Sequence, residues 1–207
     1  MKRALILDLD NTIYPVSSIA DHLFKQLFDL IDREETSVNY DDLEKAKDEL
    51  TRRNFQLVAD KYHFSPELKA RGVELLRNMT YDLPMQPFEQ YRHVRSAPHD
   101  KFLVTTGFYK LQWSKVKMLG IEDDFREVHI VDPDTSDQTK KDAFAAIMQK
   151  HNYTAAEILV IGDDPESEIK AANELGIETF LFDPENRHPQ TAATYKDKEL
   201  KGFLNFV

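Results

Sequence analysis

The sequence has no cysteine. Disulfides, thiolate nucleophiles and cysteine-ligated metal centres are excluded, and a reducing compartment, the cytoplasm, is the expected location. No apolar run approaches the ~20 residues that a membrane-spanning helix needs. Lys2, Arg3 and the short apolar stretch behind them mimic the start of a secretory signal, but Asp8 and Asp10 cut that stretch too short to serve as one. A basic excess is missing too: 27 Lys and Arg stand against 37 Asp and Glu, a net charge of −10. That balance argues against binding a nucleic acid polymer or an anionic membrane, both of which need basic surface. It leaves room for a small phosphorylated ligand, whose charge one metal ion and one lysine can meet. There is no internal repeat and no low-complexity tract. The 207 residues, 41% hydrophobic and 31% charged, describe a soluble chain long enough for one core plus an insert, or for two small domains.

What is present is a rhythm. Short apolar runs at Arg3–Leu9, Lys101–Thr105, Val128–Val131, Ile158–Ile161 and Thr179–Phe182 read as strands, three of them nearly all apolar, as strands buried on both faces are. Helical patterns lie between them at Tyr109–Leu119, Lys140–His151 and Glu166–Leu175, with Gly120 and Gly176 standing where two of those helices should stop. Alternating strands and helices predict a doubly wound, Rossmann-like α/β fold with a parallel sheet. Residues 16–97 break the rhythm and read as helices only. Ser18 is placed to cap a helix carrying Ile19, Leu23, Leu27 and Leu30, with Phe24, Phe28 and Ile31 widening its apolar face. Asp41 and Glu44 have capping-box spacing ahead of Leu43, Leu50, Leu57 and Val58. Ser65-Pro66 reads as an N-cap and first-turn proline before Leu68, Leu75, Leu76 and Met79.

Two of the strands end in acid. Ala4-Leu5-Ile6-Leu7 runs into Asp8-Leu9-Asp10-Asn11-Thr12, and Ile158-Leu159-Val160-Ile161 runs into Gly162-Asp163-Asp164. On an extended strand Asp8 and Asp10 project to one side. Two like charges so placed need a cation between them, and Mg2+, which accepts carboxylates while keeping room for water and phosphate, is the expected cofactor. Thr105-Thr106-Gly107 offers a hydroxyl and backbone N–H groups to a phosphate at a third strand end. Lys140 and Lys141 open a helix, and one of them is expected to balance the carboxylates.

Asp-x-Asp-x-Thr behind an N-terminal hydrophobic strand resembles the first motif of the haloacid dehalogenase superfamily, most of whose members are Mg2+-dependent phosphatases. The resemblance extends over essentially the whole chain, with Thr105 matching the second motif, Lys140 the third and Asp163 the fourth. It implies Asp8 as the nucleophile that forms an aspartyl-phosphate and Asp10 as the general acid/base. It implies a metal held by Asp8, Asp163 and the Asp10 backbone carbonyl, and Thr105, Thr106, Gly107 and Lys140 around the phosphoryl group. Departures from the pattern fall at Thr106, where relatives often have Asn, at Lys141, where many have Pro, and at Asp164 and Glu168, where Ser and Asp are usual. The choice between Lys140 and Lys141, and between Asp164 and Glu168 as support for the metal, stays open on sequence. An insert between the first two strands is, in this superfamily, a helical cap. The division implied is a core of residues 1–15 and 98–207 with a cap of residues 16–97. Asn11 to Pro15 and Leu83-Pro84 further resemble a group of pyrimidine 5′-nucleotidases.

The function expected is therefore a phosphomonoesterase for a small phosphorylated metabolite, with a nucleoside monophosphate as first candidate and a sugar or glycolate phosphate as second. A sugar-phosphate mutase shares all these groups, and a binding protein on the same fold is the rival from another class. Oligomeric state is not legible. The seven His residues show no paired ligand spacing, and Trp113 with Tyr109 reads as packing.

Overall fold

The computed structural model describes residues 1–34 and 38–207. Six strands pair in one sheet: β1 (Ala4–Leu7), β2 (Asp100–Thr106), β3 (Glu127–Val131), β4 (Ile158–Gly162), β5 (Glu178–Phe182) and β6 (Tyr195–Asp197). Their order is β3-β2-β1-β4-β5-β6, and every pairing is parallel. The chain therefore builds outward from β1 on one side and then returns to build outward on the other. The α/β expectation holds, and β6, three half-buried residues of mixed polarity, is the strand that the hydrophobic pattern missed.

Period-2 alternation decides which layer each strand residue enters. Leu5 and Leu7 of β1, with Leu103, Leu159 and Ile161, face α7 (Tyr109–Leu119) and the helical segment. Ala4 and Ile6, with Phe102, Val104, Ile158 and Val160, face Phe144 and Ile147 of α8 (Lys140–His151) and Ala172 of α9 (Lys170–Asn173). Both faces are buried, which is why β1 and β4 are apolar throughout. Gly120 ends α7 at φ 63°, a left-handed turn that a Cβ disfavours.

Between β1 and β2 the described residues form helices and no strand: α1 (Ala20–Leu23), α2 (Lys25–Glu34), α3 (Tyr40–Leu50), α4 (Phe55–Lys61), α5 (Pro66–Asn78) and α6 (Tyr91–Ser96). Their apolar stripes join the same cluster as one face of the sheet. No helix among the described residues is long and apolar enough to cross a membrane.

Several local expectations shift. Ser18 does not cap a helix; it ends a 3-10 turn and its hydroxyl donates to the Pro15 carbonyl at 2.7 Å, so α1 begins two residues later. The cap of α3 is Asn39, whose side chain accepts from Asp42 N–H at 3.0 Å, rather than Asp41. Asn54 caps a separate α4, which restarts the helical register. Phe55, Val58 and Ala59 then turn inward and Leu57 is left exposed. Ser65 and Pro66 open α5 as expected. The helix expected at Glu166–Leu175 instead begins with a π-helical turn, Pro165–Ile169, ahead of α9.

Candidate active site

The site lies at the carboxyl ends of β1 and β4, the neighbours between which the strand order reverses, where open α/β sheets form their ligand crevice. Leu7 is in register with Ile161, and the Asp8 N–H continues the ladder by donating to the Ile161 carbonyl at 3.0 Å. Asp8 and Gly162-Asp163 are thus brought side by side by main-chain pairing alone. Regular strand ends at Leu7 rather than Leu9. Ile13 N–H reaches back to the Leu9 carbonyl at 2.9 Å and Asn11 sits at φ 58°, so the chain turns sharply through Asp10.

Asp8 is buried and accepts from Lys140 Nζ at 2.6 Å. The same ammonium reaches Glu168 at 2.7 Å, and both the lysine and the glutamate are buried. Lys141 points away and pairs with Glu174 at 2.9 Å on the surface, so of the two lysines it is Lys140 that reaches Asp8. Glu168, which an acidic first helical turn would have left in solvent, is 1% exposed. Its second oxygen accepts the Asp164 N–H at 2.7 Å. It can fold back in this way because residue 162 is glycine: a Cβ there would lie 2.1 Å from Glu168 Oε1. Asp164 caps the π-helical turn by accepting from Glu166 N–H at 2.8 Å.

Asp8, Asp163 and Glu168 can bring one ligand oxygen each within 4.8 Å of one another. Three carboxylates thus cluster beside one ammonium, which pairs with two of them. Burial works against the Lys140 charge, yet Asp8 and Glu168 outweigh it and hold its pKa above the ordinary lysine value. The Asp8 carboxyl is lifted by burial to about 7 despite Lys140, with Glu168 and Asp10 adding to the rise. Asp163 is raised by burial and by Glu168 and Asp8. A simple ion pair would depress the acid and raise the base. Here both rise, because burial and the neighbouring carboxylates outweigh Lys140 at the acid, while the lysine meets opposite charge. Asp163 has one long hydrogen bond, from Thr12 at 3.4 Å, among the described residues. An oxygen-only donor set with surplus negative charge fits a hard divalent cation such as Mg2+.

Asp10 stands apart from this cluster. Its carboxylate is enclosed by Lys115 Nζ at 2.9 and 3.2 Å, Gln112 Nε2 at 2.8 Å and the Tyr14 hydroxyl. Burial would raise its pKa, but Lys115 and the hydrogen bonds from Tyr14 and Gln112 outweigh it and hold the group below the ordinary aspartate value. The Asp8 and Asp10 carboxylates thus each pair with a lysine of their own, Lys140 and Lys115. Thr105, fully buried at the end of β2, accepts from Gln112 Nε2 at 2.7 Å. The Thr106 carbonyl accepts from the same amide at 3.3 Å. Gly107, at φ 151°, already donates its N–H to the Val131 carbonyl at 3.0 Å, so of the expected phosphate donors its amide is engaged by the fold.

The structure thus gathers Asp8, Asp163 and Lys140 at one focus, joined by Glu168, and sets Asp10 and Thr105 together beside it through Gln112. Gln112 and Lys115 had escaped sequence reasoning. Their signal was there: they fall on the buried stripe Leu111, Gln112, Lys115, Val116, Leu119 of α7, polar residues at positions that an amphipathic helix keeps apolar.

The sequence pattern of the haloacid dehalogenase-like hydrolases matches residues 2–176. A curated relative is the glyceraldehyde 3-phosphate phosphatase of Methanopyrus kandleri, 23% identical over 193 residues that span 86% of this chain and 83% of that one. Among solved structures, the haloacid dehalogenase-like family protein SP0104 of Streptococcus pneumoniae superposes with a TM-score of 0.76 at 16% identity, covering 99% and 98% of the two chains. The Bacillus subtilis hydrolase YfnB, solved with bound magnesium, does so with a TM-score of 0.67 at 19% identity, covering 99% and 97%. With the pattern spanning the strand-terminal acids, the threonine and the lysine alike, this chain belongs to the haloacid dehalogenase-like hydrolases.

Proposed function

We propose that this hydrolase is a Mg2+-dependent phosphomonoesterase that works through an aspartyl-phosphate on Asp8. The observation that carries the reading is the Asp8 carboxylate at the head of β1, held by a buried lysine and crowded by Asp163 and Glu168. Mg2+ bound by the Asp8 and Asp163 carboxylates and the Asp10 carbonyl would supply the positive charge that this cluster lacks and that a phosphoryl group needs. Asp8 attacks phosphorus, and the bond to the leaving oxygen breaks. Lys140 and the Thr105 hydroxyl hold the phosphoryl oxygens. Asp10 handles the proton, giving it to the leaving oxygen and later taking one from the water that attacks phosphorus, whereupon the Asp8–phosphorus bond breaks and phosphate leaves. Glu168 keeps Lys140 aimed at Asp8.

Residues 16–97 serve in this reading as a helical cap over a core of residues 1–15 and 98–207, excluding bulk water and limiting substrates to small molecules. A triose or other sugar phosphate is supported by the relative that acts on glyceraldehyde 3-phosphate. A nucleoside monophosphate stays in the panel because Asn11 to Pro15 resemble the nucleotidase group.

The test is phosphate release from p-nitrophenyl phosphate and a metabolite panel, with Mg2+ and after chelation, for the wild type and Asp8→Asn. Chelation is expected to stop turnover. Asp8→Asn is expected to lower kcat by about four orders of magnitude or more while circular dichroism stays native. Turnover at the wild-type rate in Asp8→Asn sinks the proposal. Following a sugar monophosphate by phosphorus NMR separates hydrolysis from isomerisation by a mutase.

A further inference from the structure

Lys115 and Gln112 belong to none of the four motifs, and yet α7 turns both into the interior, 4% and 2% exposed. A buried ammonium is costly unless a partner compensates it, and an apolar side chain would fill the same stripe more cheaply. The compensation here comes from the Asp10 carboxylate, which Lys115 Nζ grips through both oxygens at 2.9 and 3.2 Å. Gln112 adds a second tie. Its side-chain amide donates to Asp10 Oδ2 at 2.8 Å and to the Thr105 hydroxyl at 2.7 Å, linking the end of β1 to the end of β2. Because the Thr105 oxygen accepts that bond, the hydroxyl's own proton is free to point at another acceptor.

We propose that Lys115 and Gln112 are positioning residues for the hydrolytic site: Lys115 fixes the rotamer of Asp10, and Gln112 sets the spacing of Asp10 and Thr105 and the direction of the Thr105 O–H. The inference rests on the phosphatase reading above. On this assignment the two helix residues act unequally. Lys115 acts through Asp10 alone, so it governs proton handling and not the grip on the phosphoryl group. Gln112 acts through both partners, so it governs phosphoryl binding as well. Two side chains three residues apart on one helix thereby tie the acid/base and the phosphate-binding hydroxyl to a single rigid element.

The experiment is a double-mutant cycle read by kinetics and by binding of vanadate as a phosphate mimic. Lys115→Met is expected to lower kcat by about ten- to a hundredfold, the usual effect of losing an orienting partner, with KM and vanadate affinity changed by less than about twofold. In the Asp10→Asn background the same substitution is expected to change kcat by less than about twofold, because the group it acts through is gone. Gln112→Ala is expected to weaken vanadate binding in either background, since the tie to Thr105 is lost in both. Equal fold-losses for Lys115→Met with and without Asp10 overturn the assignment, as does Gln112→Ala with wild-type vanadate affinity. Should Lys115→Met alone fail to fold, as a carboxylate stripped of its buried partner can cause, Gln112→Ala still decides. Failure of the phosphatase reading looks different: the wild type releases no phosphate, or Asp8→Asn keeps its rate.

Discussion

Along α3, Lys45 pairs with Asp42 at 2.8 Å within one helical turn, in solvent. Lys25 and Asp29 of α2 do the same at 3.0 Å, and both are more than half exposed. Across the sheet the same residue types behave otherwise. Lys140 reaches Asp8 over a separation of 132 residues and Lys115 reaches Asp10 over 105, and both ammonium groups are buried. At these two pairs the helical segment uses charge as a solvated coat over apolar stripes that do the packing. The α/β part uses charge as interior structure, where each ion depends on a specific partner from a distant part of the chain.

Neighbouring lysines at the start of α8 test that contrast hardest. Lys140→Met strips the ammonium from three clustered carboxylates. It is expected to cost about 3–5 kcal/mol, the range for breaking one side of a buried pair, and to remove turnover. Lys141→Met, one position on, removes an exposed partner of Glu174 and is expected to leave melting temperature and turnover as they were. Thermal melts and phosphate release on both variants suffice. Equal losses from the two would erase the distinction between interior and surface charge.

Much of this was readable from sequence because it depends on short-range pattern. The strand-terminal acids lie at the ends of apolar runs, and parallel pairing of β1 with β4 carries them together whatever the side chains do. Lys140 could not be told from Lys141 on sequence, since the choice depends on which face α8 turns to the sheet, a tertiary fact. Glu168 was ambiguous for a similar reason: an acid in a first helical turn is ordinarily solvated, and only the π-helical turn and the bare Cα of Gly162 fold it inward. The helical segment was legible in its stripes and blurred in its caps. Asn39 and Asn54 each restart a helix, and moving the start of α4 is enough to exchange Leu57 for Phe55 on the buried face. Lys115 and Gln112 were missed because polar residues on a helix are read as solvent-facing until the rest of their stripe is counted.

An intermediate case lies at the edge of the sheet. Glu127 of β3 is ringed by Lys150 at 2.9 Å, His151 at 2.5 Å and His129 at 3.0 Å. Burial raises its pKa, but those three partners outweigh it and bring it down to about 2. A depressed acid stabilises the fold above its unfolded value, near 4.5, and that contribution is lost as pH falls toward 2. Glu127→Gln is therefore expected to be less stable than the wild type at pH 7, and the two are expected to converge as pH drops from about 4.5 to 2. Chemical denaturation at a series of pH values measures the gap. A gap that stays constant with pH would mean that the cluster stabilises by packing and not by charge.

The smallest effect is expected where the contrast began, at Lys45 and Asp42. The pair does form, at 2.8 Å, and Lys45 with Asn39 holds Asp42 below the ordinary aspartate range. Formation is not stabilisation: both side chains are substantially exposed, and water solvates them nearly as well apart as together. Lys45→Ala also places a strong helix former on α3, which offsets part of whatever the pair contributes. The melting temperature is expected to stay within error of the wild type, at low salt and at high salt alike. Asn39→Ala in the same helix serves as the scale, because its side chain satisfies the Asp42 N–H that would otherwise lack a partner within the helix, a loss worth about 1 kcal/mol. If Lys45→Ala proves as costly as Asn39→Ala, and the cost fades with added salt, then surface charge holds this segment together and the two halves of the molecule are less different than their burial suggests.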